Sequence, residues 1–150
     1  MKTFEILLVE DNDGDIILTT ESLEDSKLIK KINVVKNGKD AVDFVMKEGN
    51  YIMANRPDLI LLDVNLPLKN GYEVLRTIKN NEKTKQIPVI MLTTSSSEED
   101  VNLSIANQAN AFITKPIEPE GYSKIRTKIE YFLLKINSIK VKKTAILSAN

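Results

Sequence analysis

The chain has 150 residues, and its 21 basic and 21 acidic residues give a formal net charge of zero. This length suits a single domain with one hydrophobic core, and the balanced charge creates no overall field that would favour nucleic acid or anionic lipid. The sequence contains neither Cys nor His. The usual zinc, haem and iron–sulfur sites are thereby excluded, as are Ser-His and Cys-His nucleophiles. A bound metal would be a hard ion held by oxygen atoms, such as Mg²⁺ or Mn²⁺.

The N-terminal segment Met1–Glu5 leads into a strand-like run and lacks the apolar core of a signal peptide. No apolar stretch approaches the ~18 residues that a membrane-spanning helix requires. The absence of Cys fits a reducing compartment. We therefore expect a cytoplasmic protein that binds neither a membrane nor nucleic acid.

Short apolar runs and helical patterns alternate along the chain. The runs that predict strands are Phe4–Val9, Ile32–Val35, Leu59–Leu62, Val89–Leu92 and Ala111–Thr114. Their nearly continuous hydrophobicity is typical of parallel strands covered on both faces. Helices are predicted near residues 15–26, 38–48, 71–81, 98–108 and 119–136. Start signals precede three of these helices, at Asn37, at Asn70 and at the Ser96/Ser97 pair.

The last predicted helix has an apolar stripe with three- and four-residue steps, formed by Tyr122, Ile125, Ile129, Phe132 and Ile136. We therefore place one domain at residues 1–136 and a flexible tail at residues 137–150, where the sequence is polar and basic and then weakly apolar. Tyr131 and Leu134 lie off the stripe. They either offer apolar surface to a partner or cover the edge of the core, and the sequence supports both interpretations equally.

Three acidic residues follow two of the predicted strands. Glu10 and Asp11 follow the first run, and Asp63 follows the third. Repeated strand–helix units indicate an α/β fold, and such sheets bind ligands beyond the carboxyl ends of their strands. Because clustered carboxylates repel one another unless a cation joins them, we expect a Mg²⁺ site here, completed by the backbone carbonyl of Asn65 and by water. Taken singly, Glu10 and Asp11 could be first-turn acids favoured by a helix dipole, and Asp63 could be a solvated strand end.

A hydroxyl and an ammonium follow two further strands. Thr93 comes after the fourth run and Lys115 after the fifth. Thr93 could instead cap the next helix, and Lys115 could be an ordinary exposed lysine. Because Pro116 holds Lys115 in extended geometry, we expect the lysine side chain to reach across the strand ends. Asp13 and Asp15 are interpreted as capping or first-turn acids on a solvated face.

Together these groups match the needs of phosphoryl transfer, in which catalysis is mainly positioning and charge neutralisation. Asp63 would be the in-line nucleophile and would form an aspartyl phosphate. The metal ion would neutralise one phosphoryl oxygen and Lys115 a second, while Thr93 would donate a hydrogen bond to a third.

The same residues resemble the receiver domain of bacterial two-component response regulators, over roughly residues 3–136. Glu10-Asp11 matches the family's acidic pair, and Asp63 matches its phosphoacceptor. Thr93 matches the switch hydroxyl, and Lys115-Pro116 matches the lysine, all in the family's order and spacing. A closer likeness is to the stand-alone receivers that include cyanobacterial phytochrome response regulators, and it rests on residues 7–12, 58–67, 92–100 and 113–116. The resemblance implies a flavodoxin-like (CheY-like) doubly wound fold, with five parallel strands in the order 2-1-3-4-5 and five helices. Glu10 departs from the Asp of many receivers, and its longer arm favours a water-mediated metal contact.

The resemblance further implies that a partner donates the phosphoryl group, either a sensor histidine kinase or a phosphotransfer protein, since this chain has no histidine. Phosphorylation should draw Thr93 towards the phosphate and let Phe112, at the position of the family's switch aromatic, rotate inwards. The surface of the fourth helix, fifth strand and fifth helix would then switch, and bind a partner or form a homodimer. The chain would be a signalling protein rather than an enzyme, apart from its own phosphorylation and slow dephosphorylation.

Other classes of protein compete with this interpretation. A phosphatase of the haloacid-dehalogenase type also combines Asp, Thr or Ser, Lys and Mg²⁺, but it needs a second acid two residues after the nucleophile, where this chain has Asn65. A degenerate receiver that only binds a partner is disfavoured by the intact Asp63, Thr93 and Lys115. A flavin-binding protein is disfavoured because the loop at residues 10–15 is too acidic to cradle a phosphate.

Overall fold

The computed structural model describes residues 2–94 and 97–149, with side chains described as far as Ser138. The strands are β1 Phe4–Val9, β2 Ile29–Val35, β3 Leu59–Asp63, β4 Val89–Thr93 and β5 Ala111–Thr114. The α-helices are α1 Asp13–Glu24, α2 Gly38–Met46, α3 Gly71–Lys79, α4 Glu98–Ala106 and α5 Tyr122–Ala149. Short 3₁₀ turns lie at Gly49–Tyr51 and Pro119–Gly121.

The five strands form one parallel sheet in the order β2-β1-β3-β4-β5. This order and the five helices confirm the predicted flavodoxin-like fold. Successive strand residues point to opposite faces of a sheet, so each central strand contributes side chains to two hydrophobic cores, one on each face. On one face Leu7 and Ile60 pack with α2 and α3, and on the other Leu8 and Leu61 pack with α1 and α5.

Asparagine or serine side chains cap four helices where these leave the carboxyl ends of the strands. Asn12, Asn37, Asn70 and Ser97 each accept a hydrogen bond from the backbone N–H three residues later. This pairing satisfies a donor that the first helical turn leaves open. The predicted caps Asn37, Asn70 and Ser97 are thereby confirmed, and Ser96 lies outside the described residues.

The predicted start of β2 and the predicted end of α5 are wrong. Strand β2 begins at Ile29 rather than Ile32, because an edge strand tolerates exposed charges such as those of Lys30 and Lys31. Helix α5 continues to Ala149 instead of ending at residue 136, and no Gly or Pro interrupts it. The flexibility predicted for residues 137–150 stays a prediction.

The apolar stripe of α5 lies largely as expected. Tyr122, Ile125 and Ile129 are buried, together with Leu133, which the predicted stripe omitted. Tyr131 and Leu134 are exposed at 62% and 52%, so they do not cover the edge of the core. Among the described residues, no helix has both the length and the apolar character needed to cross a membrane.

Candidate functional site

Four of the predicted side chains meet at the carboxyl edge of the sheet, where all of them are buried. Glu10 directly follows β1 and Lys115 directly follows β5, while Asp63 and Thr93 are the last residues of β3 and β4. Parallel pairing aligns these ends: the Lys115 backbone N–H donates to the Thr93 carbonyl over 2.6 Å. Glu10 is 1% exposed and Lys115 is 7% exposed, so charge in this pocket must be balanced by its own residues.

The simpler explanations for single residues do not hold. Helix α1 begins only at Asp13, so Glu10 precedes its first turn. Ser97 caps α4, so Thr93 is not the cap. Lys115 is buried rather than an ordinary surface lysine.

Three carboxylates converge beside the buried lysine. Glu10, Asp11 and Asp63 each offer one oxygen, and these oxygens lie within 4.8 Å of one another. Asp11 is exposed while the other two are buried, which leaves the cluster open to solvent on one side. Hard oxygen ligands of this kind suit Mg²⁺ or Mn²⁺.

Lys115 supplies the positive charge of the pocket. Its ammonium donates to Glu10 Oε1 and to Asp15 Oδ2, the latter over 3.1 Å, and lies 3.4 Å from Asp63 Oδ1. Burial lowers the pKa of Lys115, but the hydrogen bond to Glu10 and the charge of Asp63 outweigh it, so that the pKa is raised overall. The lysine is therefore cationic at neutral pH.

Glu10 is held at both of its oxygens. Oε1 accepts from Lys115, and Oε2 accepts from the backbone N–H of Asp11 over 3.2 Å and of Asn12 over 3.4 Å. Burial and the neighbouring Asp63 raise the pKa of Glu10 while Lys115 lowers it, and the net result is a pKa of about 7. A divalent cation would favour the charged carboxylate, because a nearby positive charge lowers a carboxyl pKa.

The loop after Asp63 is folded tightly against the strand end. A Cβ atom on Gly71 would lie 2.3 Å from the Asp63 carbonyl oxygen, and the Gly71 N–H donates to Val64 over 2.9 Å. Only glycine permits this approach. Leu68 in the same loop has φ 67, a left-handed conformation that is costly for a leucine. Asn65 is exposed there, and its role as a metal ligand stays a prediction.

Phe112 lies in β5 next to the site strands. Its side chain is half-buried and packs against the core on the α2 and α3 face. A half-buried aromatic ring has room to change its exposure, and the predicted switching role stays a prediction.

Asp15 is the site residue whose contacts sequence analysis missed. It was expected on a solvated face with Asp13, and only Asp13 fits this, being 77% exposed and paired with Lys36. Asp15 accepts from Lys115 and, over 3.3 Å, from the Tyr122 hydroxyl. Asp15 does lie in the first turn of α1, as predicted. Its predicted solvated position was wrong, because residues 100 positions apart give no local signal of such a contact.

Comparisons with known proteins identify the family of this chain. Residues 6–129 match the response regulator receiver domain family. Over 129 residues the chain is 42% identical to Response regulator Rcp1 of Synechocystis sp., covering 86% of this chain and 88% of Rcp1. The fold is similar to the phosphorylated cyanobacterial phytochrome response regulator RcpA, with a TM-score of 0.83, 42% identity, and coverage of 88% of this chain and 94% of that one. The Mn²⁺-bound form of Rcp1 gives a TM-score of 0.81 at 41% identity, covering 86% and 93% of the two chains. The chain therefore belongs to the response regulator receiver domain family of two-component signalling.

Proposed function

We propose that this protein accepts a phosphoryl group onto Asp63 from a phosphohistidine of a partner, either a sensor histidine kinase or a phosphotransfer protein. The observation that carries the proposal is the Lys115 ammonium 3.4 Å from Asp63 Oδ1, beside three carboxylate oxygens that converge within 4.8 Å. This arrangement supports a nucleophile with a fixed positive charge at its side. The phosphorylated relative RcpA supports the same chemistry.

In the proposed reaction an Asp63 oxygen attacks phosphorus in line with the leaving group. An oxygen–phosphorus bond forms as the phosphorus–nitrogen bond breaks, and the partner's imidazole departs with the bonding electron pair. Lys115 neutralises one phosphoryl oxygen, and Thr93 donates its hydroxyl to another. Slow hydrolysis of the aspartyl phosphate by water then resets the protein.

We also propose Mg²⁺ as the physiological ion, with Mn²⁺ able to replace it. Glu10, Asp11 and Asp63 would hold it, with the Asn65 carbonyl and water completing the oxygen ligands. When bound, the ion supplies positive charge that offsets the charge on the transferring phosphoryl group. The existence of a Mn²⁺-bound form of Rcp1 supports binding of a divalent ion by this chain.

Switching is proposed to spread from Thr93 through β4 and β5. The Thr93 carbonyl accepts from the Lys115 N–H, so movement of either strand end reaches the other. Phe112 would turn inwards and the surface of α4, β5 and α5 would change. Ile105, Tyr131 and Leu134 are exposed on its helices and would contact a partner or a second copy of the chain. The predicted cytoplasmic location stays a prediction.

The test is incubation with Mg²⁺ and acetyl phosphate, followed at once by intact mass measurement. We expect the wild type to gain one phosphate and Asp63→Asn to gain none, because the amide is a poor nucleophile. A folded, Mg²⁺-binding wild type that takes up no phosphate would instead indicate a receiver that only binds partners. Rapid turnover of unrelated phosphate esters would indicate a phosphatase.

A further inference from the structure

Among the residues that the structure describes, Lys115 has three carboxylate neighbours, and one of them has no part in the proposed metal site. Glu10 and Asp63 belong to the converging acids, whereas Asp15 lies outside that group. Asp15 Oδ2 is 3.1 Å from the Lys115 ammonium, closer than Asp63 Oδ1 at 3.4 Å. The lysine is therefore held from the α1 side as well as from the strand ends.

Asp15 is itself held in place from two directions. Its backbone N–H donates to the Asn12 side chain over 2.9 Å, and its Oδ1 accepts from the Tyr122 hydroxyl over 3.3 Å. The Tyr122 ring is buried at the start of α5, and the Tyr122 carbonyl accepts from Ser22 Oγ of α1 over 2.7 Å. Burial, together with the charge of Asp15, raises the pKa of Tyr122 to about 12, so this hydroxyl remains a donor at neutral pH.

These contacts matter most once the site is loaded. A metal ion would engage Glu10 and Asp63, and a phosphoryl group would occupy one Asp63 oxygen, so both carboxylates would hold Lys115 less strongly than before. An ammonium has three donors and a flexible stem. Among the described carboxylate neighbours of Lys115, Asp15 is the one that neither ligand would engage, so it can keep the ammonium aimed at the phosphoryl group.

We propose that Asp15 is a positioning residue for phosphoryl transfer, acting through Lys115 and braced by Tyr122. The proposal rests on Asp63 being the phosphoacceptor. The proposal and simple charge repulsion predict opposite changes in the rate of phosphoryl transfer when the charge of Asp15 is removed. If Asp15 only added negative charge, its removal would favour an incoming phosphate dianion, whereas loss of a positioning residue slows transfer.

The experiment compares Asp15→Asn with Asp13→Asn, which removes the same charge from the same helical turn at an exposed position that does not touch Lys115. The rate of phosphorylation is measured against acetyl phosphate concentration in excess Mg²⁺. We expect Asp15→Asn to lower the saturating rate by roughly tenfold or more while the half-saturating concentration changes less than about twofold, because misplacement of a catalytic group affects the transition state. Asp13→Asn should change neither value beyond about twofold.

Two further variants separate positioning from folding. Tyr122→Phe keeps the buried ring but loses the hydroxyl, and we expect a smaller loss of rate in the same direction. In a Lys115→Ala background, Asp15→Asn should have no further effect, since coupled residues are not additive.

The positioning role would be overturned if Asp15→Asn left the saturating rate of phosphorylation unchanged or raised it. It would also be overturned if Asp15→Asn lowered the rate further in the Lys115→Ala background. A wild type that takes up no phosphate would instead overturn the proposed function. The two failures are therefore distinguishable.

Discussion

At the scale of single residues, the main feature of the site is that its buried charged groups must neutralise one another, because solvent does not reach them. Glu10, Asp63 and Lys115 are all buried, and burial disfavours any charge that lacks a partner. Glu10 shows the result, because its pKa rises to about 7 from an ordinary value of 4.5. Its carboxyl group is therefore partly protonated near neutral pH while the site is free of metal.

Metal affinity should consequently depend on pH. If Glu10 holds the ion as proposed, the ion must displace the proton on Glu10, so Mg²⁺ affinity should fall by about tenfold for each pH unit below about 7. Titrations at several pH values between about 5.5 and about 8 would measure this. Glu10→Gln should bind Mg²⁺ more weakly but with little pH dependence in that range, and a wild-type affinity that is flat across it would contradict the argument.

The same pKa sets the sign of a stability effect. A carboxyl pKa that is higher in the folded than in the unfolded chain means that the folded state binds the proton more tightly. The stabilising contribution of Glu10 is therefore fully present below about pH 4.5 and is lost as the pH rises through about 7. Mg²⁺ would offset this loss by binding the charged form.

At the scale of elements, capped helices and one tight loop hold the strand ends in register. The loop from Asp63 to α3 returns so closely that a Cβ atom on Gly71 would lie 2.3 Å from the Asp63 carbonyl oxygen and 2.8 Å from the Val64 Cα atom. Both contacts are with backbone, which cannot rotate away as a side chain can.

Gly71→Ala should therefore destabilise the protein by about 1–3 kcal/mol through overpacking, and should also reduce phosphorylation because the Asp63 backbone must move. Gly14→Ala is the matched control, since its nearest neighbour would be the Asn12 side-chain oxygen at 3.2 Å. We expect that variant to lie within about 0.5 kcal/mol of the wild type in urea unfolding. If Gly71→Ala is as stable as the wild type in urea unfolding, the loop can relax to accommodate the added Cβ atom.

At the scale of the whole molecule, the two ends of the sheet use buried lysines differently. Lys115, at the carboxyl end, is surrounded by carboxylates. Lys79, at the amino end, donates to the carbonyl oxygens of Ile87 over 2.8 Å and Lys85 over 3.3 Å and to Asn110 Oδ1 over 2.9 Å. Burial lowers the pKa of Lys79. It joins the end of α3 to the starts of β4 and β5 and lies at the opposite end of the sheet from Asp63.

Lys79→Met should therefore reduce stability and spare phosphorylation. Loss of hydrogen bonds from a charged donor leaves buried acceptors unpaired, which we expect to cost about 2 kcal/mol. Urea unfolding and acetyl phosphate labelling of the same sample would measure both properties, with the exposed Lys83→Met as control. If Lys79→Met is as stable as the wild type, burial of the charge costs as much as its hydrogen bonds contribute.

The sequence by itself determined the five strands, the helix caps at Asn37, Asn70 and Ser97, and which residues follow the strand ends. These signals are local, because apolar runs and caps such as Asn37 and Asn70 depend on residues a few positions apart. Strand ends in a parallel sheet lie at one edge, so the meeting of Glu10, Asp63, Thr93 and Lys115 followed from the order of the elements.

Only the tertiary structure decided which groups touch and what that does to their charges. The bond from Lys115 to Asp15 and the contact of Tyr122 with the same carboxylate join residues 100 and 107 positions apart. Their formation depends on how α1 and α5 pack on the sheet, which no short stretch of sequence encodes. The raised pKa of Glu10 likewise depends on burial, and burial is a property of the whole fold.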